Sequence, residues 1–182
     1  MTVRIASSER DVCAIQHLRH RLLGSFAGTV AGFREDRHRL VEPEDVDGIH
    51  VAAFDHRNEA VMAVRLDALA DRRSHLSEST RRELVGVGVN VGDGGTRSIS
   101  DRLHVTPGIG GHLIIRLLAK MMEQARRRGW VGDLCRCDPE HFEIRRNLGY
   151  RSLGVFASSE DGRYPTSELM YLHLPRSLRG MG

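Results

Sequence analysis

Asp101, Arg102 and His104 place an acid, a fixed cation and an imidazole within four positions, and the chain then runs through TPGIGGHLIIRLL. Gly108, Gly110 and Gly111 stand where a helical apolar pattern begins. Residues without a Cβ let main-chain N–H groups approach a ligand closely. A helix N-terminus is a ready seat for an anion or a carbonyl oxygen. These glycines do not follow the G-x-G-x-x-G fingerprint and no Walker lysine comes after them. What remains is a cluster of N–H groups suited to a phosphate or pyrophosphate, with a purely structural tight turn as the alternative.

A second set of chemical residues lies upstream. Arg65 is the one charged residue of VMAVRL, so it either faces water or pairs with a carboxylate. Asp45 or Asp47 of EPEDVDG could be that partner, as could the carboxylate of an amino-acid ligand. For moving a proton the candidates are Asp101, His104, Asp45, Asp47, His112 and His141. On a strand His104 shares a face with Arg102 and Ser100, whereas Asp101 falls with Ile99, Leu103 and Val105. Histidine's pKa suits a general base, but ten histidines in one chain dilute that signal. Cys13, Cys135 and Cys137 form neither a disulfide framework nor a zinc pattern and are expected as buried small apolar residues. Cys135 and Cys137 point the same way on a strand.

The elements that must position these groups follow from periodicity. Val3 to Ala6 is a short strand, and Ser7 or Ser8 caps a helix carrying Val12, Ile15, Leu18 and Leu22. Between Gly24 and Gly48 the pattern is irregular, with REDRHRL expected as a short helix or loop. IHVAAFD and VMAVRL, separated by HRNEA, predict an antiparallel hairpin with Met62, Val64 and Leu66 on one face and Arg65 on the other. Residues 67–84 form a polar helix or excursion, and the glycine-rich VGVGVNVGDGGTR a loop or frayed hairpin. Ser98 to Val105 is a strand. Leu113, Leu117, Leu118, Met121, Met122 and Ala125 make the stripe of a long helix that Gly129 ends. DLCRC, YRSLGVF and SELMYLHL are strands, and PEHFEIRRNLG is a short helix. Hairpins mixed with helical crossovers predict an α+β fold: a mixed, mostly antiparallel central sheet with helices on both faces.

Composition sets the outer limits. At 182 residues with 40% hydrophobic content, the chain is expected to form one domain over 1–182. No apolar run is long enough to span a membrane, and MTVRIASSERD lacks the apolar core of a secretory signal, so a cytoplasmic location is expected. A net charge of +3 suits an anionic ligand, while 5% aromatic residues leave little for stacking on bases, which argues against nucleic acid.

Order and spacing of IASSERDVCAIQHLRHRLL, IHVAAFDHRNEAVMAVRL, DRLHVTPGIGGHLIIRLL and PEHFEIRRNLGYR resemble the GNAT acyltransferase superfamily over nearly the whole chain. LRHRLL, EPEDVDG, AVRL and SDRLHV are most similar to its N-acyl amino acid synthases and autoinducer (acyl-homoserine-lactone) synthases. The resemblance implies an amide-forming transfer of an acyl group from a thioester, on an acyl carrier protein or coenzyme A, to a small amino-acid-like amine. It needs no metal. By the same resemblance Arg19, Asp45, Asp47, Arg65 and Arg102 occupy the positions of the family's characteristic polar residues, the first four expected at the acceptor, and Arg102 is expected to serve the chemistry beside the candidates Asp101 and His104. Leu103, Val105, Gly108, Gly110, Gly111 and His112 hold the acyl-CoA or acyl-phosphopantetheine co-substrate, main-chain N–H groups near 103–105 polarising its carbonyl.

Three positions depart from the family pattern. An acid three residues before the strand arginine is Ile99, the basic or glutamine start of the phosphate loop is Val105, and the tyrosine four residues before the LGY glycine is Arg145. A reduced pyrophosphate cradle suits a carrier-protein donor, whose acidic surface Arg116, Arg126, Arg127 and Arg128 would meet. An ordinary acetyl-CoA-dependent N-acetyltransferase and a non-catalytic acyl-thioester-binding module are the alternatives.

Overall fold

The structure is a computed structural model that describes residues 1–24, 34–69, 78–89, 97–137, 139–157 and 167–174; Arg34, Glu35, Glu44, Glu78, Ser79, Thr80, Arg102, Phe156 and Ala157 are described by main chain alone. Its elements are β1 (Thr2–Ile5), α1 (Glu9–Leu23), β2 (Arg34–Asp36), β3 (Arg39–Val41), a 3-10 turn (Pro43–Asp45), β4 (Ile49–Phe54), β5 (Ala60–Ala68) and α2 (Glu78–Gly86). Then come β6 (Arg97–Val105), α3 (Gly111–Arg127), β7 (Gly132–Cys137), a second 3-10 turn (Pro139–His141), α4 (Phe142–Asn147), β8 (Arg151–Ala157) and β9 (Ser167–His173). The main sheet has the order β1-β4-β5-β6-β7-β9-β8, and β2 and β3 pair separately. Contacts divide the chain into two compact units, Met1–Leu66 with Arg102–Met121, and Asp67–Asp101 with Met122–Gly182.

In the first unit Ser8 caps α1, its hydroxyl accepting the Asp11 N–H at 3.2 Å. Ile15 and Leu18 then pack on Ala52, Phe54, Ala60 and Ala63, each such buried aliphatic contributing about 2 kcal/mol. β4 and β5 pair antiparallel, His50 opposite Arg65 and Ala52 opposite Ala63. Since side chains alternate along a strand, His50 and Arg65 share the face that α1 covers. Val51, Met62, Val64 and Leu66, on the other face, are fully buried as well.

REDRHRL is neither helix nor loop but a hairpin, β2 pairing with β3 from Arg34–Val41 to Asp36–Arg39. Arg37 and His38 turn it with φ of 49° and 63°. Two left-handed residues match the twist of a two-residue hairpin, but without Asn or Gly the sequence carries no mark of it. Of the polar stretch 67–84, the end of β5 and most of α2 are described, and residues 70–77 lie outside the described residues. The glycine-rich stretch 85–97 falls largely outside the described residues.

In the second unit β7 runs parallel to β6 and antiparallel to β9, which pairs antiparallel with β8. A parallel neighbour requires a crossover, and α3 is the helix between β6 and β7. Leu69, Leu84, Val89, Ile99, Leu134, Val155 and Leu169 form this unit's apolar cluster. Tyr171 lies so close to Gly132 that a Cβ there would collide with its phenol.

Candidate functional site

Below α1, four charged side chains of the first unit are sealed together. Arg19 is 1% exposed and donates from Nη1 to both Asp45 oxygens, at 2.6 and 2.9 Å. Arg65 is 0% exposed and donates to Glu42 Oε2 at 2.6 Å, with Asp45 Oδ1 at 3.8 Å. Gln16, one helical turn from Arg19, donates to Asp45 Oδ2 at 3.0 Å, and the Glu42 N–H does so at 3.1 Å. Burial acts to raise the Asp45 pKa, but the Arg19 charge and bond together with the Glu42 and Gln16 bonds hold it below the usual carboxylate value. Each of these two guanidinium groups is bonded to a carboxylate, and pairing of that kind is what burying a charge requires.

Local sequence explains which acids turn inward. Glu42 precedes Pro43, which favours extended backbone at the residue before it; its φ and ψ are −113° and 147°. The 3-10 turn then carries Asp45 back over Glu42, while Asp47 emerges exposed beyond it. Arg19, Asp45 and Arg65 are therefore brought together, Asp47 is not among them, and Glu42, Gln16 and His50 complete the group. His50 Nε2 lies 3.3 Å from the Asp45 carbonyl.

The glycine turn belongs to the same unit. Thr106 donates to the Val61 carbonyl at 3.0 Å, ending the pairing of β6 with β5, and Ile109 closes a turn onto the Thr106 carbonyl at 3.2 Å. Gly108 takes φ +85°, which a side chain disfavours. α3 starts at Gly111 with no acidic residue in its first turn. A Cβ on Gly111 would meet nothing within 4 Å. The first N–H groups of a helix have no i−4 partner within it, and here the Leu113 N–H turns back to the Gly110 carbonyl at 3.0 Å. Because Thr106 points its N–H to β5, the Val105 N–H points to the opposite edge. The ladder with β7 ends at Ser100–Cys135. Leu103, His104 and Val105 are half-buried and His112 is exposed; Asp101, half-buried, falls in the second unit, and Arg102 is described by main chain alone. His141 is half-buried, 3.6 Å from Glu140.

No protein-family model matches the sequence, and no curated protein matches it either. Solved structures do. The CoA-dependent acyl-homoserine lactone synthase BjaI, in a structure with SAM and isopentyl-CoA, superposes with a TM-score of 0.69 at 17% identity, over 96% of this chain and 83% of that one. TofI, in a ternary complex with an inhibitor and MTA, gives 0.68 at 16% identity, over 95% and 91%. A phosphinothricin acetyltransferase of the GNAT superfamily from Sinorhizobium meliloti, in complex with AcCoA, gives 0.57 at 14% identity, over 96% and 89%.

The chain has the GNAT fold.

On this GNAT fold Arg145, standing where the resemblance expects a tyrosine, is 1% exposed and stacks over the Tyr150 ring with its carbon 4.9 Å from the centroid. Beside it lies a second buried polar group, which the sequence reading did not single out. Asp133, fully buried, accepts from Ser98 Oγ, Ser100 Oγ and Tyr150 Oη, each at 2.6 Å. Burial pushes its pKa up against the pull of those three donors. The one available signal was an acid between Gly132 and Leu134 in a strand otherwise short of polar residues. Cys135 and Cys137 are buried as expected, and burial pushes the Cys135 thiol up to about 12, far from a reactive thiolate. Arg116, Arg126, Arg127 and Arg128 are exposed, with Arg127 paired to Glu123 one turn away. Among the described residues no group of three or more His, Cys, Asp or Glu could hold a metal ion, and no helix is long and apolar enough to cross a membrane.

Proposed function

We propose that the chain acts as a single 1–182 N-acyltransferase domain, moving an acyl group from a thioester of coenzyme A or an acyl carrier protein to the amine of a small amino-acid-like acceptor. The observation that carries this reading is the glycine start of α3: exposed Gly111 and His112 follow directly after β6, with no acidic residue in the first helical turn, on a fold shared with a protein crystallised with isopentyl-CoA. The donor's phosphate sits on the turn formed by Gly108, Gly110, Gly111 and His112, and its carbonyl oxygen takes the N–H of Val105 and its neighbour Leu103. Oriented donors of this kind stabilise a developing oxyanion by about 3 kcal/mol. The buried group of Arg19, Asp45 and Arg65 supports the acceptor subsite, with Asp47 at its exposed edge. Asp101, Arg102 and His104 are the candidates for orienting the amine and taking its proton. As the amine nitrogen bonds to the carbonyl carbon, the carbon–sulfur bond breaks, and the proton lost by nitrogen ends on the released thiol.

Charge matching of Arg116, Arg126 and Arg128 with an acidic carrier protein supports a carrier-bound donor. The likeness to an acetyltransferase holding AcCoA favours a second reading, acetyl-CoA as the donor. Both are tested by incubating the purified chain with acetyl-CoA, a medium-chain acyl-CoA or an acyl carrier protein thioester against a panel of amino acids and SAM. Free thiol and amide product are followed together. Amide from the longer donors supports the first reading, amide from acetyl-CoA alone the second, and thiol release without amide in every combination overturns both.

A further inference from the structure

His50 is the one titratable member of the buried group without a site role in the resemblance that carries no fixed charge. It sits on β4 opposite Arg65 and is 2% exposed. Both groups near its Nε2 are acceptors, the Asp45 carbonyl at 3.3 Å and the Asp45 carboxylate at 3.7 Å. Nε2 therefore carries the proton, and Nδ1 is left bare, buried and without a hydrogen-bond partner. A neutral imidazole has one donor and one acceptor, so the tautomer follows from this arrangement.

We propose that His50 is a positioning residue: its Nε2–H ties the turn bearing Asp45 to β4, and so holds Asp45 against Arg19 in the geometry that acceptor binding uses. The acceptor half of this statement rests on the reading of that group given above. Among the described residues the charges acting on the ring include Arg19 from α1, Asp45 from the turn and Arg65 from β5. A positive charge on His50 would therefore meet two guanidinium groups in a buried site. Burial and then the Arg19 charge, outweighing Asp45, lower its pKa to about 4, which keeps the donor neutral through ordinary pH.

Glutamine and asparagine separate this role from simple filling of space. The amide nitrogen of Gln extends as far as Nε2, whereas that of Asn stops near Nδ1. With the donors and amines named above, His50→Asn raises the KM for the amine about tenfold with kcat nearly unchanged, the pattern of lost binding rather than lost chemistry. His50→Gln keeps KM within about twofold. Equal losses in both variants, or none in either, overturn the proposal. Should His50→Asn fail to fold, long-range proton–nitrogen NMR spectra of the wild-type chain decide: a neutral Nε2–H ring between about pH 5 and 7 is expected, and an Nδ1–H tautomer or an imidazolium overturns it. If the wild type acylates nothing, the acyltransfer reading falls and takes the acceptor half with it, while the NMR result still judges the tie to Asp45.

Discussion

Each unit of this chain buries a carboxylate, and the two are held in opposite ways. Asp45 faces Arg19 directly and shares its surroundings with a second ion pair, Arg65 with Glu42. Asp133 receives three hydroxyl donors. Their pKa values move apart accordingly, Asp45 downward because its cation and donors outweigh burial, Asp133 upward because burial outweighs its donors. A buried carboxylate is thus no indicator of stability by itself. What matters is whether a cation bonds it directly: Arg145 acts on Asp133 through its charge, and burial still prevails.

The sharpest way to break the comparison is to remove one partner from the first group. Arg65→Ala takes from buried Glu42 the cation it bonds at 2.6 Å, with Arg19 farther off at 3.7 Å, and Glu42→Ala takes from Arg65 the carboxylate it bonds, with Asp45 farther off at 3.8 Å. Each is expected to cost about 3–5 kcal/mol in denaturant unfolding, whereas losing both together costs less than the two single losses added, since neither charge then stands without its bonded partner. Fully additive losses would mean that the pair does not act as a unit.

Next in size is Asp133, where the expected sign depends on the replacement. Asp133→Ala strips the acceptor from three buried hydroxyls and destabilises by about 2–4 kcal/mol. Asp133→Asn keeps the shape, gives the hydroxyls an oxygen and an amide to reorganise around, and removes the buried charge, so at neutral pH it leaves stability unchanged or raises it by about 1 kcal/mol. The pH dependence carries the same sign. A carboxyl whose folded pKa is raised adds stability that is whole below its unfolded pKa and is lost as pH rises through the folded one. The advantage of Asp133→Asn therefore shrinks on acidification toward about pH 4. For Asp45, with its folded pKa lowered, the stabilisation is present above the unfolded pKa and is lost as pH falls through the folded one. Asp45→Asn should consequently cost most at neutral pH and progressively less in acid. Melting curves of both variants against pH would show lines of opposite slope; parallel lines would refute the contrast.

How much of this could be read from the chain depends on how local the cause is. Periodicity located α1, α3, the β4–β5 hairpin and the later strands because one face of each meets the core. Arg65 was legible as a lone cation on an apolar strand. Its partner was not, because the acids of EPEDVDG are equivalent until Pro43 fixes the backbone and turns Glu42 and Asp45 inward, leaving Asp47 exposed. His50 looked like any strand histidine, since only its pairing opposite Arg65 puts it in the group. Asp133 stood out little for the same reason: Ser98 and Ser100 lie on β6 and Tyr150 before β8, and no local pattern announces a site that two strands and a turn assemble.

A smaller contrast lies in the two helix starts of the first unit. α1 begins with Ser8 accepting the Asp11 N–H and with Glu9 and Asp11 in its first turn, where Asp11 also holds Arg4 at 2.5 and 2.7 Å. α3 begins on glycine with no acidic residue in its first turn. Replacing the Ser8 cap by Ala is expected to cost about 1 kcal/mol. Gly111→Asp does the reverse for α3. The new Cβ meets nothing within 4 Å, and a carboxylate in a first turn stabilises a helix by about 0.3–1 kcal/mol. If the bare start holds the donor's phosphate, that gain in melting temperature comes with weaker binding of coenzyme A by about tenfold, because the aspartate takes the anion's place. Calorimetric titration of the variant decides the point. Higher stability with unchanged affinity would mean that the donor binds elsewhere, and that the glycines at 108, 110 and 111 serve the turn alone.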